Sequence, residues 1–319
     1  MPSPPKTPRN FLEILEQIWW RLDTALDLDL IYWSAKLGAV EALMSGTTGI
    51  IDHHESPKAI EGSLDAISTA CSEVGVRVVC SYGVTDRHGV DGARLGLAEN
   101  ERFLRCGGRG MVGVHASFTC SDSTLEAAAG LASDLGVGVH IHVAEGPDDA
   151  EAGRRLKEIA RPDWLLVHCV GLEDELPGTI VHNPRSNMNN AVGYANPTRF
   201  TNRVTLGTDG IGADMLDEFR LAYVALRSVD VLATPETPWS WIQNSYDLLP
   251  ECRDDIVEWS YEHVDSPWHL AFTTGVHPTN IRRADGVELL ADGVPTLVDV
   301  NEVRAKAAEA AQRLFSRLS

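Results

Sequence analysis

At 319 residues, with 44% hydrophobic content and a formal net charge of −19, the chain is long enough for one large α/β barrel with an appendage. The negative charge disfavours nonspecific binding to nucleic acid or to an anionic membrane surface. Six scattered cysteines without a Cys-x-x-Cys pair, no export signal, and no apolar run near about 20 residues argue for a cytoplasmic protein and against a membrane-spanning one.

In chain order, Met1 to Arg9 carries Pro2, Pro4, Pro5 and Pro8, which exclude a central strand there. Asn10 to Asp23 and Leu28 to Met44 then place apolar residues at helical spacing, among them Phe11, Ile14, Leu15, Ile18, Trp19 and Leu22, with Asn10 as the expected cap. Trp19, Trp20 and Trp33 are expected to pack these helices. Gly46-Thr47-Thr48-Gly49 has no lysine and no strand before it, so it reads as a turn and not as a phosphate loop.

Short β-branched runs follow at Gly46 to His54, Val76 to Val84, Met111 to Phe118, Gly138 to Glu145, Asp163 to Val170, Thr179 to Pro184 and Arg203 to Gly210. Helical stretches separate most of them: Ala59 to Val74, Ala98 to Cys106, Ser123 to Leu135 and Asp148 to Ile159, with Leu216 to Ser228 after the last. Strand followed by helix, repeated, predicts a parallel barrel whose reactive residues collect at the carboxyl ends of the strands. After about Val229 the pattern changes. A proline-containing linker at Ala233 to Pro238 leads to a short helix over Trp239 to Leu249. Strands are expected at Asp254 to Tyr261 and Leu270 to Val276, a hairpin at Ile281 to Leu289, and a final helix at Val300 to Leu318.

Three of the barrel strands end in groups suited to hydrolysis. Alternation puts His140 and His142 on one face, with Glu145 just beyond; His168 and Asp209 end two later strands. Imidazoles and carboxylates at one rim supply borderline-soft metal ligands, a proton-transfer carboxylate and room for water. Cys169, next to His168, is expected to face the helices. Of the paired His53 and His54, alternation lets only one face inward; His54 or His140 could approach a metal, but a substrate contact or a hydrogen-bonded structural role is the expected reading of both. His88, His263, His269 and His277 are expected to be hydrogen-bonded core residues.

The ordered motifs His115-Ala-Ser-Phe-Thr, His142-Val-Ala-Glu145, His168-Cys-Val, His182-Asn-Pro with Ser186-Asn187-Met188, and Leu206-Gly-Thr-Asp209-Gly resemble the amidohydrolase superfamily. Within it they resemble the deaminase and chlorohydrolase branch. Gly46-Thr-Thr-Gly-Ile-Ile-Asp-His-His-Glu-Ser-Pro57 is similar to the SsnA-type aminohydrolases in particular. The resemblance implies a (β/α)8 TIM barrel holding Zn2+ or another divalent metal through His142 and Asp209. It implies Glu145 as proton shuttle, His168 as the group that holds hydroxide or polarises the electrophile, and His115 and the His182 loop as substrate contacts. The implied activity is hydrolysis of a non-peptide carbon–nitrogen bond, in the form of deamination of a small cyclic nitrogenous compound.

The superfamily's first strand, with its His-x-His pair of metal ligands, has no counterpart in the chain. The expectation is therefore an α/β amidohydrolase fold lacking strand one over residues 1–232, with a β-sandwich remnant and final helix over residues 233–319. Two matched ligands predict weak zinc binding, and open strand edges predict a homo-oligomer. The alternatives are a catalytically incompetent barrel that serves as a subunit or binding protein, and a complete enzyme whose reading starts late.

Overall fold

In a computed structural model the chain is described at Pro4, residues 6–262 and residues 266–318. The first three prolines' neighbourhood at residues 1–3 and 5, and His263, lie outside the described residues.

Seven short strands run parallel in chain order: β1 (Gly49–Ile51), β2 (Arg77–Val79), β3 (Val112–Ala116), β4 (Val139–Val143), β5 (Leu165–His168), β6 (Thr179–His182) and β7 (Val204–Leu206). β1 pairs with β2, and β3 through β7 form a continuous ladder. Isolated bridges at Cys80–Gly110 and Val84–Val114 carry the order from the end of β2 to β3. The alternation expected of a barrel is visible in β4. Val139, Ile141 and Val143 are fully buried against the surrounding helices, while His140 and His142 line the interior cavity.

Leu28–Met44, Ser63–Val74, Asp122–Leu135 and Met215–Val229 are helices close to where apolar spacing placed them, while the helix expected from Ala98 begins at Gly89 and runs to Arg105, and the one expected over Asp148 to Ile159 is a 3₁₀ turn at Pro147–Asp149 and a short helix, Ala152–Leu156. Leu125, Ala128, Phe219 and Ala222 from Asp122–Leu135 and Met215–Val229 join the outward faces of β3 to β7 in one apolar cluster. Full burial of a side chain the size of Leu125 or Phe219 contributes about 1.5–3 kcal/mol by leaving water. A second cluster joins Leu28–Met44, Ser63–Val74 and the terminal helix Val300–Leu318.

The opening helix, Phe11–Asp23, contains a π-helical turn at Leu15–Trp19 and is capped as expected, the Asn10 side chain accepting from Glu13 N at 2.9 Å. It does not pack only on other helices. Phe11, Trp19 and Trp20 line the cavity, so the tryptophans expected as helix packing instead roof the barrel mouth. The reason is that the rim leaves an apolar opening that this helix covers.

Beyond β7, the helix Glu236–Gln243 packs on that strand, although sequence placed it with the appendage. Asn244 Nδ2 donates to Val204 O at 2.8 Å, and Leu249 and Cys252 pack against Gly49 at the start of β1. This segment therefore spans the gap between β7 and β1, which no ladder joins among the described residues. The appendage is an antiparallel sheet of β8 (Ile256–Trp259), β9 (Pro278–Arg282), β10 (Glu288–Ala291) and β11 (Val294–Pro295), in the order β11-β10-β9-β8. The strand expected at Leu270 to Val276 is instead a helix, Pro267–Phe272. Pro267 at its first turn favours that start, and Leu270 buries into the barrel cluster. His88, His269 and His277 are exposed and not core residues; His88 meets Glu55 at 3.1 Å and His277 bonds Ser260 and Gly275.

Strand edges at β1 and β7 that lack a strand partner favour association. The isolated chain is expected to scatter light as a dimer or larger species; a clean monomer across concentration would contradict this.

Candidate active site

The cavity at the carboxyl ends of the parallel strands has a volume of about 660 Å³, within the range of small-molecule sites. Its reactive groups stand where chain conformation departs from regular strand. Ala144 (φ 46°), His168 (φ 70°) and Asp209 (φ 54°) are non-glycine residues in the left-handed region, at the carboxyl ends of β4, β5 and β7. Such conformations cost about 1–3 kcal/mol each and persist where surrounding contacts hold them. At Ala144 the support is Asp149, whose Oδ2 accepts from Ala144 N at 2.8 Å and whose Oδ1 accepts from Phe118 N at 3.0 Å and from Ser117 Oγ. This buried carboxylate staples the ends of β3 and β4 and turns Glu145 into the mouth.

Glu145, His168 and Asp209 converge. His168 Nε2 lies 3.4 Å from Glu145 Oε2 and 3.8 Å from Asp209 Oδ2. On the far side of the ring, His168 Nδ1 contacts Asn187 Oδ1 at 2.8 Å. An amide oxygen only accepts, so Nδ1 donates to Asn187 and Nε2 is the ring atom turned toward the two carboxylates. Ser186 Oγ donates to Asp209 Oδ2 at 2.5 Å, and Asn190 Nδ2 to Glu145 Oε1 at 3.1 Å. His168 Nε2 itself is buried with no hydrogen-bond partner. Three acceptor atoms within 4.8 Å of one another, one of them orphaned, make a donor set that fits a divalent cation.

The electrostatics separate the two carboxylates. Burial pushes Glu145 above the usual carboxylate range. Burial also acts on Asp209, but His168, the Ser186 hydroxyl, His142 and Gly210 N outweigh it and hold Asp209 below its ordinary value. A pair split in this way suits one group to proton transfer and keeps the other ionised. Burial holds His142 down at about 4 and His140 at about 3, with neighbouring imidazoles adding to it, so both rings are neutral and ligand-ready at pH 7.

The other expected residues divide. His142 lines the cavity, its Nδ1 paired with His115 O at 2.6 Å, and its ring centroid is 5.5 Å from that of His168. His115 also lines the cavity, edge-on to Trp20. His182 does not. It is fully buried outside the cavity lining, 5.8 Å from both Tyr194 and Trp241. On β6 it is Val181 and Asn183 that line the interior, so alternation sends His182 toward the helix layer, and Asn183 of the same loop takes the inward place. Cys169 is buried in the apolar cluster, as alternation predicts. Asp149 and Asn190 were not singled out from sequence, and Asn187 only within the Ser186-Asn187-Met188 motif; Asn187 lies in the short helix Pro184–Asn189 after β6, which Asn190 caps at its carboxyl end, and the Asn-Pro-x-Ser-Asn composition is the signal that points to it.

A parallel strand–helix array that gathers imidazoles and carboxylates at the carboxyl ends of its strands is an arrangement suited to hydrolysis. The chain matches the Amidohydrolase family over residues 7–243 and belongs to that family. It is 36% identical over 235 residues to the 5'-deoxyadenosine deaminase of Methanopyrus kandleri, a match covering 64% of this chain and 53% of the relative. It is 30% identical over 234 residues to the 5-methylthioadenosine/S-adenosylhomocysteine deaminase of Symbiobacterium thermophilum, covering 64% and 52%. The chain thus spans about half the length of these relatives. Among solved structures, a zinc-bound adenosine deaminase from Xanthomonas campestris superposes with a TM-score of 0.78 at 17% identity, covering 98% of this chain and 81% of that one. An amidohydrolase from Brucella melitensis gives 0.79 at 18%, covering 98% and 85%. These likenesses show the fold. No helix among the described residues is long and apolar enough to cross a membrane.

Proposed function

We propose that the chain is a zinc-dependent aminohydrolase that deaminates a small cyclic nitrogenous compound, of the adenosine-like class on which its relatives are named as acting. The observation that carries this is the convergence of Glu145, His168 and Asp209 at the rim of the cavity. The barrel is taken to be the superfamily's strands two to eight over residues 1–232, the first strand's position falling between β7 and β1.

His142 and Asp209 would hold the metal, which supplies acidification of a water to a pKa of about 7. Glu145, its proton affinity raised by burial, takes the proton of the attacking water and delivers it to the departing nitrogen. His168, fixed by Asn187, orients the nucleophile or polarises the ring carbon. His115 and Asn183 contact the substrate, while Trp19, Trp20 and Phe118 give the cavity aromatic faces against which a flat heterocycle can lie. A non-catalytic subunit or binding protein would have no use for two carboxylates with opposed proton affinities at one imidazole.

Ammonia release from 5'-deoxyadenosine and from a panel of aminopurines and aminopyrimidines, with zinc supplied, tests the reading. Deamination of at least one adenosine-like compound is expected; none from the whole panel would sink it.

A further inference from the structure

Three histidines on two strands face one another in the cavity, beside the carboxylate cluster and not explained by it. The His53 ring, at the carboxyl end of β1, has its centroid 4.6 Å from His142 and 4.7 Å from His140, and the latter two are 6.2 Å apart. Both ring nitrogens of His53 and Nδ1 of His140 are buried without a hydrogen-bond partner, and His140 is only 7% exposed. A buried polar atom without a partner leaves its desolvation uncompensated, so orphaned nitrogens on two facing rings point to something they bind.

The fold makes room for this arrangement. A Cβ at Gly83 would lie 2.5 Å from His53 Nε2, so the absence of a side chain there is what lets the His53 ring occupy its place. On the next ring, Nδ1 of His142 is committed to His115 O, which leaves its Nε2 available. Four-coordinate zinc with Zn–N of about 2.0–2.1 Å places the centroids of two bound imidazoles about 5 Å apart, a value the three observed separations bracket. The ligand atoms gathered within 4.8 Å among the described residues are those of Glu145, His168 and Asp209, so closure of the histidine set needs rotation of the rings. The His53 ring has no hydrogen bond to resist that rotation.

We propose that His53, His140 and His142 form a three-imidazole site for a borderline divalent metal such as zinc, with His53 and His140 as direct ligands. The site shares His142 with the functional reading above and rests on that reading only there. Three neutral imidazoles are a sufficient protein ligand set for zinc with one position left open. The site would give the chain tight metal binding where His142 and Asp209 alone predict weak binding.

The test is zinc affinity of the full chain, measured by competition with a chromophoric chelator and independent of turnover. Wild-type chain is expected to retain zinc through dialysis. His53→Gln and His140→Gln, which keep side-chain bulk, should each weaken zinc by more than about 100-fold, beyond the 10–100-fold that disturbing a supporting residue costs. Gly83→Ala should weaken it as well by displacing the His53 ring. His54→Gln should not, because His54 Nε2 is paired with Ser56 Oγ at 2.9 Å. Melting of the metal-free variants within a few degrees of wild type, with loss of the zinc-induced rise, separates ligand loss from misfolding. Wild-type affinity in both His53→Gln and His140→Gln overturns the proposal, as does a wild-type chain that retains no zinc. If Asp209→Asn loses zinc while His53→Gln keeps it, the proposal fails and the functional reading stands.

Discussion

Glu145→Gln is expected to lower deamination by about 10²–10⁴ while zinc content stays unchanged. The amide keeps the size of the carboxylate and can still meet Asn190, which lies 3.1 Å from Oε1, but it cannot accept and return a proton. His142→Ala should behave differently and lose metal and activity together, because it removes a direct ligand. Elemental analysis beside single-turnover kinetics reads both outcomes. Loss of metal in Glu145→Gln would make that carboxylate a ligand, an outcome its position 3.4 Å from His168 Nε2 makes worth measuring. Nearly full activity would remove it from the proton path altogether.

The second large effect is on stability. In the metal-free chain, burial holds His54 and His142 at about 4 and His140 and His182 at about 3, against about 6.5 for an unfolded histidine. The unfolded chain therefore takes up these protons first as pH falls. The stability is fully present above about pH 6.5 and is lost as pH drops through 6.5 toward 4. Asp52 works against this: burial raises it to about 6, so its contribution grows as pH falls through 6 toward 3.8. His53 and His115, also depressed by burial, add to the loss, while the raised Asp23, Glu145, Asp149 and Glu218 offset part of it. Each net proton taken up by the unfolded chain costs about 1.4 kcal/mol per pH unit, and a loss of stability is expected between pH 6 and 5. Urea midpoints at pH 7 and 5.5 should differ plainly. An unchanged midpoint would mean that these rings are not buried and neutral in the folded chain.

Sequence by itself determined the parallel strand–helix order, because period-two and period-3.6 patterns are local, and it determined which strand ends carry His142, Glu145, His168 and Asp209. It also held the cue for the helix that positions His168, in the Asn-Pro-x-Ser-Asn run after β6. It did not determine which way the side chains at the ends of β1 and β6 face. Both faces of a parallel strand are buried, so alternation sorts residues into two sets without saying which set faces the interior. That ambiguity covered His53 and His54, which both line the cavity where alternation expected one, and hid that Asn183 and not His182 lines it. At the rim, alternation itself ends: left-handed backbone at Ala144, His168 and Asp209 turns the next groups inward, held at Ala144 by Asp149. The roofing of the mouth by Trp19 and Trp20, the helix at Pro267–Phe272 in place of a strand, and the meeting of His53 with His140 and His142 were likewise decided only by tertiary packing. Each depends on contacts between segments far apart in the chain, which no local pattern records.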